Sequence, residues 1–139
     1  MRLVADTNVL ISALLAPASL PAHLVALWRN GRFDLLTATE QLDELRRVTR
    51  YPKLRARLPP ALAGRLVNEL RDLAIVVADL PAVAVSPDPF DDYLLAIAVA
   101  GRADVLVTGD KSDLLPLERH AGTRILTVRQ FLALQRSLP

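Results

Sequence analysis

The chain contains no cysteine. Disulfide bonds, thiolate zinc sites and cysteine nucleophiles are therefore excluded, and a bound metal ion would need oxygen ligands or the two histidines. No apolar run approaches the roughly 18 residues of a membrane-spanning helix. The opening run, MRLVAD, meets a charge too early for a signal peptide. We therefore expect a cytoplasmic protein without a membrane segment.

Aromatic residues and lysine are also scarce. Aromatic residues make up 4% of the chain, and of the 17 basic residues only Lys53 and Lys111 are lysine. Apolar residues reach 52% and charged residues 23%, a balance typical of globular proteins and unlike that of disordered chains. A length of 139 residues suits one ordinary domain, so we predict a single domain over residues 1–139.

Short apolar runs alternate with helical patterns along the whole chain. Because the runs lack a clear polar alternation, they are typical of strands that are covered on both faces. The repeated order of strand and helix predicts a single three-layer α/β/α domain with a mainly parallel central sheet of about five strands. The predicted strands are residues 3–5, 33–36, 74–78, 105–107 and 124–126, and the predicted helices are residues 8–15, 20–30, 38–48, 59–73, 88–101 and 127–136.

Polar side chains follow two of the predicted strands at their carboxyl ends. Asp6 ends the first strand, and Thr108 and Asp110 end a later one, with Gly109 between them. In a parallel sheet these ends lie at the same edge, which is where ligands gather. We therefore expect Asp6 and Asp110 to lie close together.

Three further acids stand at the start of the helix predicted over residues 88–101. Asp88 followed by Pro89 indicates an N-cap and a first helical residue. For Asp88 and Asp91, capping and interaction with the helix dipole are the favoured roles. Asp92 directly adjoins YLLAIAVA, which is apolar on all sides and hence predicted to be buried. We therefore interpret Asp92 as a functional acid.

The helix ATEQLDELRRV offers three acids that its periodicity ranks. Its apolar face is marked by leucines 42 and 45 and valine 48. At 100° per residue, Glu44 lies roughly 70° from the centre of that face, Glu40 roughly 110° and Asp43 roughly 170°. Glu44 is thus a carboxylate at the margin of the core, whereas Asp43 and Glu40 are predicted to be solvated.

A cluster of these carboxylates would require protons or cations. Two carboxylates about 4 Å apart repel each other by about 4 kcal/mol at an effective dielectric constant near 20. Oxygen-only ligands at a partly wet sheet edge favour Mg²⁺ or Mn²⁺. Such ions, held by carboxylates with several waters retained, act on phosphate esters. The pattern therefore predicts metal-dependent chemistry on phosphate esters.

Four segments together resemble a PIN-domain ribonuclease, and within that family the VapC-like toxins of bacterial toxin–antitoxin systems. They are DTNVLIS, ELRRV, DDYLLAIA and VTGDKSDL, which occur in the order seen in the family and cover nearly the whole chain. The resemblance implies an endoribonuclease that holds one or two Mg²⁺ or Mn²⁺ ions. It also implies a cognate antitoxin that covers the site, and we expect a homodimer.

The resemblance also implies roles for individual residues. The family's four acids match Asp6, Glu44, Asp92 and Asp110, although neighbouring Asp91 leaves the register of the third open. Many relatives have an aromatic residue where this chain has Leu114. This difference weakens the assignment of the preceding residue, Asp113, as a metal ligand. Further implied residues are the additional metal ligand Asp113 and the supporting polar residues Asn8 and Thr108.

A basic segment offers a surface for RNA. Between residues 46 and 71 there are eight basic residues and one acid, Glu69. Such a local excess suits contact with phosphates, although a solvated helical face explains any single residue equally well. Tyr51 is the one aromatic residue there that suits base stacking. The predicted RNA-binding residues are Arg46, Arg47, Arg50, Lys53 and Arg55.

Two other classes of protein remain open from the residues alone. A phospho-aspartate module, either a receiver-like domain or a haloacid-dehalogenase-like phosphatase, also places acids at strand ends and uses Mg²⁺. The phosphatase pattern needs a second aspartate where this chain has Asn8, and neither pattern uses Glu44 or Asp92. The other alternative is a binding module that has the fold without the activity.

Overall fold

The structure, a computed structural model, describes residues 1–109 and 113–136. It contains six strands and seven helices within those residues. In chain order they are β1 Arg2–Ala5, α1 Thr7–Leu15, α2 Leu20–Arg29, β2 Asp34–Thr37, α3 Thr39–Val48, α4 Pro52–Arg55, α5 Pro60–Leu73, β3 Ile75–Val76, α6 Pro89–Gly101, β4 Val105–Thr108, the 3-10 turn Leu115–Leu117, β5 Arg119–His120, β6 Thr123–Thr127 and α7 Val128–Arg136.

The six strands form one sheet in the order β3-β2-β1-β4-β6-β5. The first five of these strands are parallel, and β5 pairs antiparallel with β6 through a tight turn. β1 lies at the centre, with Leu3 opposite both Leu35 of β2 and Val105 of β4. The predicted α/β class with a mainly parallel sheet is confirmed.

Side chains of β1 alternate between two apolar cores, one on each face of the sheet. Leu3 and Ala5 belong to a core that includes side chains from α1, α2, α3, α5 and α7. Val4 points to the opposite face, where α6 covers the sheet. Since successive strand residues face opposite sides, a continuous apolar run is what a strand covered on both faces requires.

The structure departs from the sequence prediction at the sheet edges. The strand predicted over residues 74–78 shortens to β3, and both Ile75 and Val76 are exposed because β3 is an edge strand. The short elements α4 and β5 had no clear signal in the sequence. All six predicted helices are present, with bounds that differ by at most one residue.

Among the described residues, no helix taken alone has both the length and the apolar character to cross a membrane. Only α1 and α2 together reach that length and composition, and the pair is bent by 100° at the break between them.

Two helical glycines should respond in opposite ways to alanine. A Cβ at Gly101 would lie 2.6 Å from Cδ1 of the fully buried Leu36, whereas a Cβ at Gly64 would meet no atom within 4 Å. We expect Gly101→Ala to lower the free energy of unfolding by about 1–3 kcal/mol through overpacking. Gly64→Ala should raise it by about 0.5–1 kcal/mol, because alanine loses less backbone entropy in a helix. Urea denaturation measures both, and equal effects would contradict this packing.

Candidate active site

Asp6 lies where β1 ends and α1 begins. Asp6 is only 9% exposed, and its side chain accepts two hydrogen bonds, one per oxygen. Thr108 Oγ1, at the end of β4, donates to Oδ2 over 2.8 Å, and the Asn8 backbone N–H donates to Oδ1 over 3.1 Å. The second bond caps α1. Asp6 is therefore held in one orientation by the two neighbouring central strands.

Glu44 reaches the same region from α3. Tyr93 of α6 donates its hydroxyl hydrogen to Glu44 Oε1 over 3.0 Å. The tyrosine oxygen lies 2.9 Å from Thr7 Oγ1, so the threonine hydroxyl can donate to it in turn. Burial raises the pKa of Tyr93 well above its ordinary value, so the phenol stays protonated and remains a donor to Glu44.

A buried polar network extends from this tyrosine into the sheet. Thr37 of β2 donates to Gln41 Oε1 over 2.7 Å, and Gln41 Nε2 donates to the Ala5 carbonyl over 2.7 Å and to Thr7 Oγ1 over 3.4 Å. Thr37, Gln41 and Thr7 are at most 3% exposed. Sequence reasoning missed these residues and Tyr93. A signal existed, because Gln41 lies one helical turn before Leu45 on the apolar face of α3.

The structure separates Asp91 from Asp92. Oδ1 of Asp92 accepts hydrogen bonds from the backbone N–H groups of Val85 and Ser86, over 3.0 and 2.8 Å. Asp92 thus fastens the loop before α6. Asp91 lies beside Asp6 instead, close enough for their charges to interact, and Ser86 Oγ is 3.4 Å from its Oδ2. The sequence favours Asp92 as the functional acid and leaves the register open; in the structure the charge of Asp91 interacts with that of Asp6, while Asp92 accepts from loop N–H groups.

The carboxylates line one continuous cleft. One part of it has a volume of about 300 Å³ and the adjoining part about 350 Å³, and both are lined by Asp6, Asn8, Asp88 and Asp91. Glu44 lies in the first part, whereas Thr108, Gly109 and Asp113 line the second. Chain segments that are far apart in sequence therefore deliver acids to one edge of the sheet. Asp110, the fourth predicted acid, lies outside the described residues.

Electrostatic repulsion within the cleft is visible in two carboxyl groups. Burial, followed by the charges of Asp6, Asp88 and Asp113, raises the pKa of Asp91 from 3.8 to about 6. Burial also raises the pKa of Asp6, with smaller increments from Glu44 and Asp88, despite its hydrogen bonds to Thr108 and Asn8, which oppose the shift. A cation in the cleft would relieve this repulsion.

The chemistry of the cleft suits a hard divalent cation. The acidic side chains that line it are aspartate and glutamate, whose carboxylates offer only oxygen atoms to a metal ion. Within the described part of the chain, no three Asp, Glu or His side chains are already spaced as a formed ligand shell. The chemistry thus fits Mg²⁺ or Mn²⁺, while closure around an ion would require the carboxylates to move together.

The predicted RNA-binding residues divide between two places. Arg47 and Tyr51 line the acidic cleft on the Glu44 side. Arg46, Arg50 and Arg55 line a separate cavity of about 290 Å³ between α3, α4 and α5. Lys53 is exposed on α4.

Tyr93→Phe tests the hydrogen-bond network. The variant removes the donor to Glu44 and the acceptor for Thr7, so we expect the free energy of unfolding to fall by about 1 kcal/mol. Tyr51→Phe is the matched control, because the side chain of Tyr51 is exposed and its hydroxyl makes no hydrogen bond within the described residues. Equal urea midpoints for wild type and both variants would contradict the network.

Asp91→Asn tests the repulsion. Because the folded-state pKa is raised, the folded protein binds more protons than the unfolded chain between pH 3.8 and about 6, and the free energy of unfolding falls as pH rises through that window. We expect Asp91→Asn to stabilise the metal-free protein more at pH 8 than at pH 4. The difference should be modest, because solvent screens the partly exposed carboxylate. Thermal unfolding in EDTA measures this. Asp34→Asn, at the opposite edge of the sheet and outside the cleft, is the matched control.

Comparison with known proteins places this arrangement in a family. A family model described as PIN domain matches residues 2–112, which is well over half of the chain. The comparison with curated proteins finds no match. PIN domains are generally nucleases, and those nucleases generally use divalent metal ions. The chain belongs to the PIN-domain family.

Proposed function

We propose that this protein is a Mg²⁺- or Mn²⁺-dependent endoribonuclease that hydrolyses RNA phosphodiester bonds. The observation that carries the proposal is the single cleft lined by Asp6 at the junction of β1 and α1, Glu44 of α3 and Asp91 of α6. Family membership supports nuclease chemistry over the phospho-aspartate alternative.

Asp6, Glu44 and Asp91 are the residues that we propose to hold the metal, with Asp88 and Asp113 close by. The family's third acid is then Asp91, because the Asp92 carboxylate is engaged by loop N–H groups. Asp110 remains a proposed ligand outside the described residues. When bound, the divalent ion would activate a water molecule and stabilise the charge on the leaving oxygen.

The protein's own contribution is preorganisation. Thr108 and the Asn8 N–H fix both oxygens of Asp6, and Tyr93 orients Glu44. Asp6 and Glu44 therefore start from fixed orientations, which limits the reorganisation that these two side chains need when charge develops during the reaction. Asp91 has a weaker polar partner, so it is the carboxylate most able to adjust its position.

RNA as the substrate is supported by the cations around the cleft. A polyanion would be repelled by the acids unless positive groups contacted its other phosphates. Arg47 lines the acidic cleft directly, and Tyr51 offers an exposed ring beside it for base stacking. The cavity lined by Arg46, Arg50 and Arg55 extends this basic surface along α3 and α4.

A role as the toxin of a toxin–antitoxin pair, a cytoplasmic location and a homodimer are further parts of the proposal. The antitoxin would then cover the acidic cleft with a basic side chain.

Much of the apolar surface of α1 and α2 packs into the protein's own core. Exposed apolar side chains lie instead at the β3 edge, where Leu73, Ile75 and Val76 would suit contact with a second copy.

Cleavage of a labelled single-stranded RNA pool tests the proposal. We expect activity with Mg²⁺ or Mn²⁺, loss of activity in EDTA, and a fall of at least about 100-fold in Asp6→Asn and Asp91→Asn, more than the loss of a supporting partner costs. Undiminished cleavage after chelation would reject the metal mechanism. No cleavage by folded wild-type protein would favour a binding module.

Asp92→Asn distinguishes the two neighbouring acids. Asparagine keeps an oxygen that can accept from the Val85 and Ser86 N–H groups, so the loop should hold its position. We expect Asp92→Asn to retain most cleavage activity while Asp91→Asn loses it. The reverse pattern, in variants that both unfold cooperatively, would restore Asp92 as the third acid.

A further inference from the structure

A second cavity of about 200 Å³ lies beside the acidic cleft, between α1, α2 and α7. Its wall is apolar and is formed by Val9, Leu20, Pro21 and Val128. The exposed polar residues Asn8 and Ser12 also line it, as does Arg129. An apolar wall with a few polar groups is the usual composition of a small-ligand site.

This cavity is continuous with the acidic cleft. Asn8, Thr108 and Gly109 line both. A Cβ at Gly109 would meet no atom of the described residues within 4 Å, so this shared wall residue leaves room between the two spaces. A ligand in the cavity would therefore lie directly beside the carboxylates.

Arg129 gives the cavity a positive charge. The residue is exposed at the start of α7 and makes no ion pair or side-chain hydrogen bond in the part of the chain that the structure describes. Its position is fixed by reciprocal caps, because Gln130 Oε1 accepts from the Thr127 N–H over 2.9 Å and Thr127 Oγ1 accepts from the Gln130 N–H over 3.1 Å.

We propose that this cavity is the subsite for a nucleotide that adjoins the scissile phosphate, with Arg129 contacting a phosphate and the apolar wall contacting the base. The inference rests on the proposed nuclease function and adds to it a specificity-determining site. The side chains of Asn8 and Ser12, which make no hydrogen bond within the described residues, are available to the edges of the base or the ribose.

The charges argue for a nucleotide over an uncharged ligand. Phosphates bound beside the acids need positive partners. Arg47 lines the part of the cleft that contains Glu44, and Arg129 lines the cavity that adjoins the part containing Thr108 and Gly109. An RNA strand crossing the carboxylates would thus meet one arginine before them and one after them. Of these two arginines, Arg129 lines the cavity with the apolar wall, whose volume of about 200 Å³ is large enough for one base.

Binding of adenosine and uridine 5′-monophosphates to the metal-free protein in EDTA tests the subsite. We expect NMR chemical-shift changes at Val9, Ser12, Val128 and Arg129, and their loss in Arg129→Gln. The parent nucleosides and inorganic phosphate, each offering half of the contacts, should bind at least about tenfold more weakly. Shift changes confined to other surfaces would overturn the proposal.

RNA affinity provides the second readout. For a non-cleavable 2′-O-methyl RNA 12-mer pool, we expect Arg129→Gln to weaken binding about tenfold. The slope of log affinity against log salt should fall by about 0.7, as for one lost phosphate contact, and Arg129→Lys should restore that slope. Arg136→Gln is the matched control, since it removes the same charge from the last turn of α7, outside the cavity.

The possible outcomes distinguish a failure of the subsite proposal from a failure of the proposed nuclease function. If wild-type protein cleaves RNA while Arg129→Gln binds and cleaves normally, the subsite is wrong and the nuclease function stands. If mononucleotides bind at the cavity but no RNA is cleaved with either metal, the nuclease function is wrong and nucleotide binding stands. Equal losses in Arg129→Gln and Arg136→Gln would overturn the subsite as well, because the effect would then be one of net charge.

Discussion

The repulsion among carboxylates at one edge of the sheet is the constraint on which the rest of this site depends. At an effective dielectric constant near 20, each pair about 4 Å apart costs about 4 kcal/mol, a large share of the stability of a small domain. The pKa values of Asp6 and Asp91 are raised, first by burial and then by neighbouring carboxylates, and the protein's own donors do not offset these effects. A cleft that is unfavourable without cations is one that favours binding them.

The fold holds Asp6 and Glu44 in the cleft through separate hydrogen-bond partners. Two parallel central strands bring Asp6 and Thr108 to the same edge, and their hydrogen bond spans 102 residues of sequence. The network from Thr37 through Gln41 and Thr7 ties β2, α3 and β1 together beneath the cleft and leads to Tyr93 and Glu44. Since buried polar groups are costly when unpaired, this network also fixes how α3 and α6 sit on the sheet.

The distribution of charge around the cleft suits a long anion better than a small one. Acids line the cleft, Arg47 lines its Glu44 part, and Arg129 lines the cavity that adjoins its Thr108 part. A net charge of only +2 conceals this separation. Because salt screens exposed charges over about 8 Å at physiological ionic strength, each arginine acts on the phosphate next to it and has little effect on the far side of the cleft.

The sequence by itself determined the α/β class, the six main helices and the location of Asp6 and Glu44, because strand ends and helical periodicity are local properties of the chain. It did not decide between Asp91 and Asp92, since α6 is apolar on all sides and has no single stripe to orient its first turn. Only the tertiary structure shows how their surroundings differ, because the N–H groups of Val85 and Ser86 take up the Asp92 carboxylate whereas Asp91 lines the cleft. The same holds for Tyr93 and Arg129, whose surroundings come from segments distant in sequence. Side-chain neighbours across the sheet edge depend on packing, which no local pattern encodes.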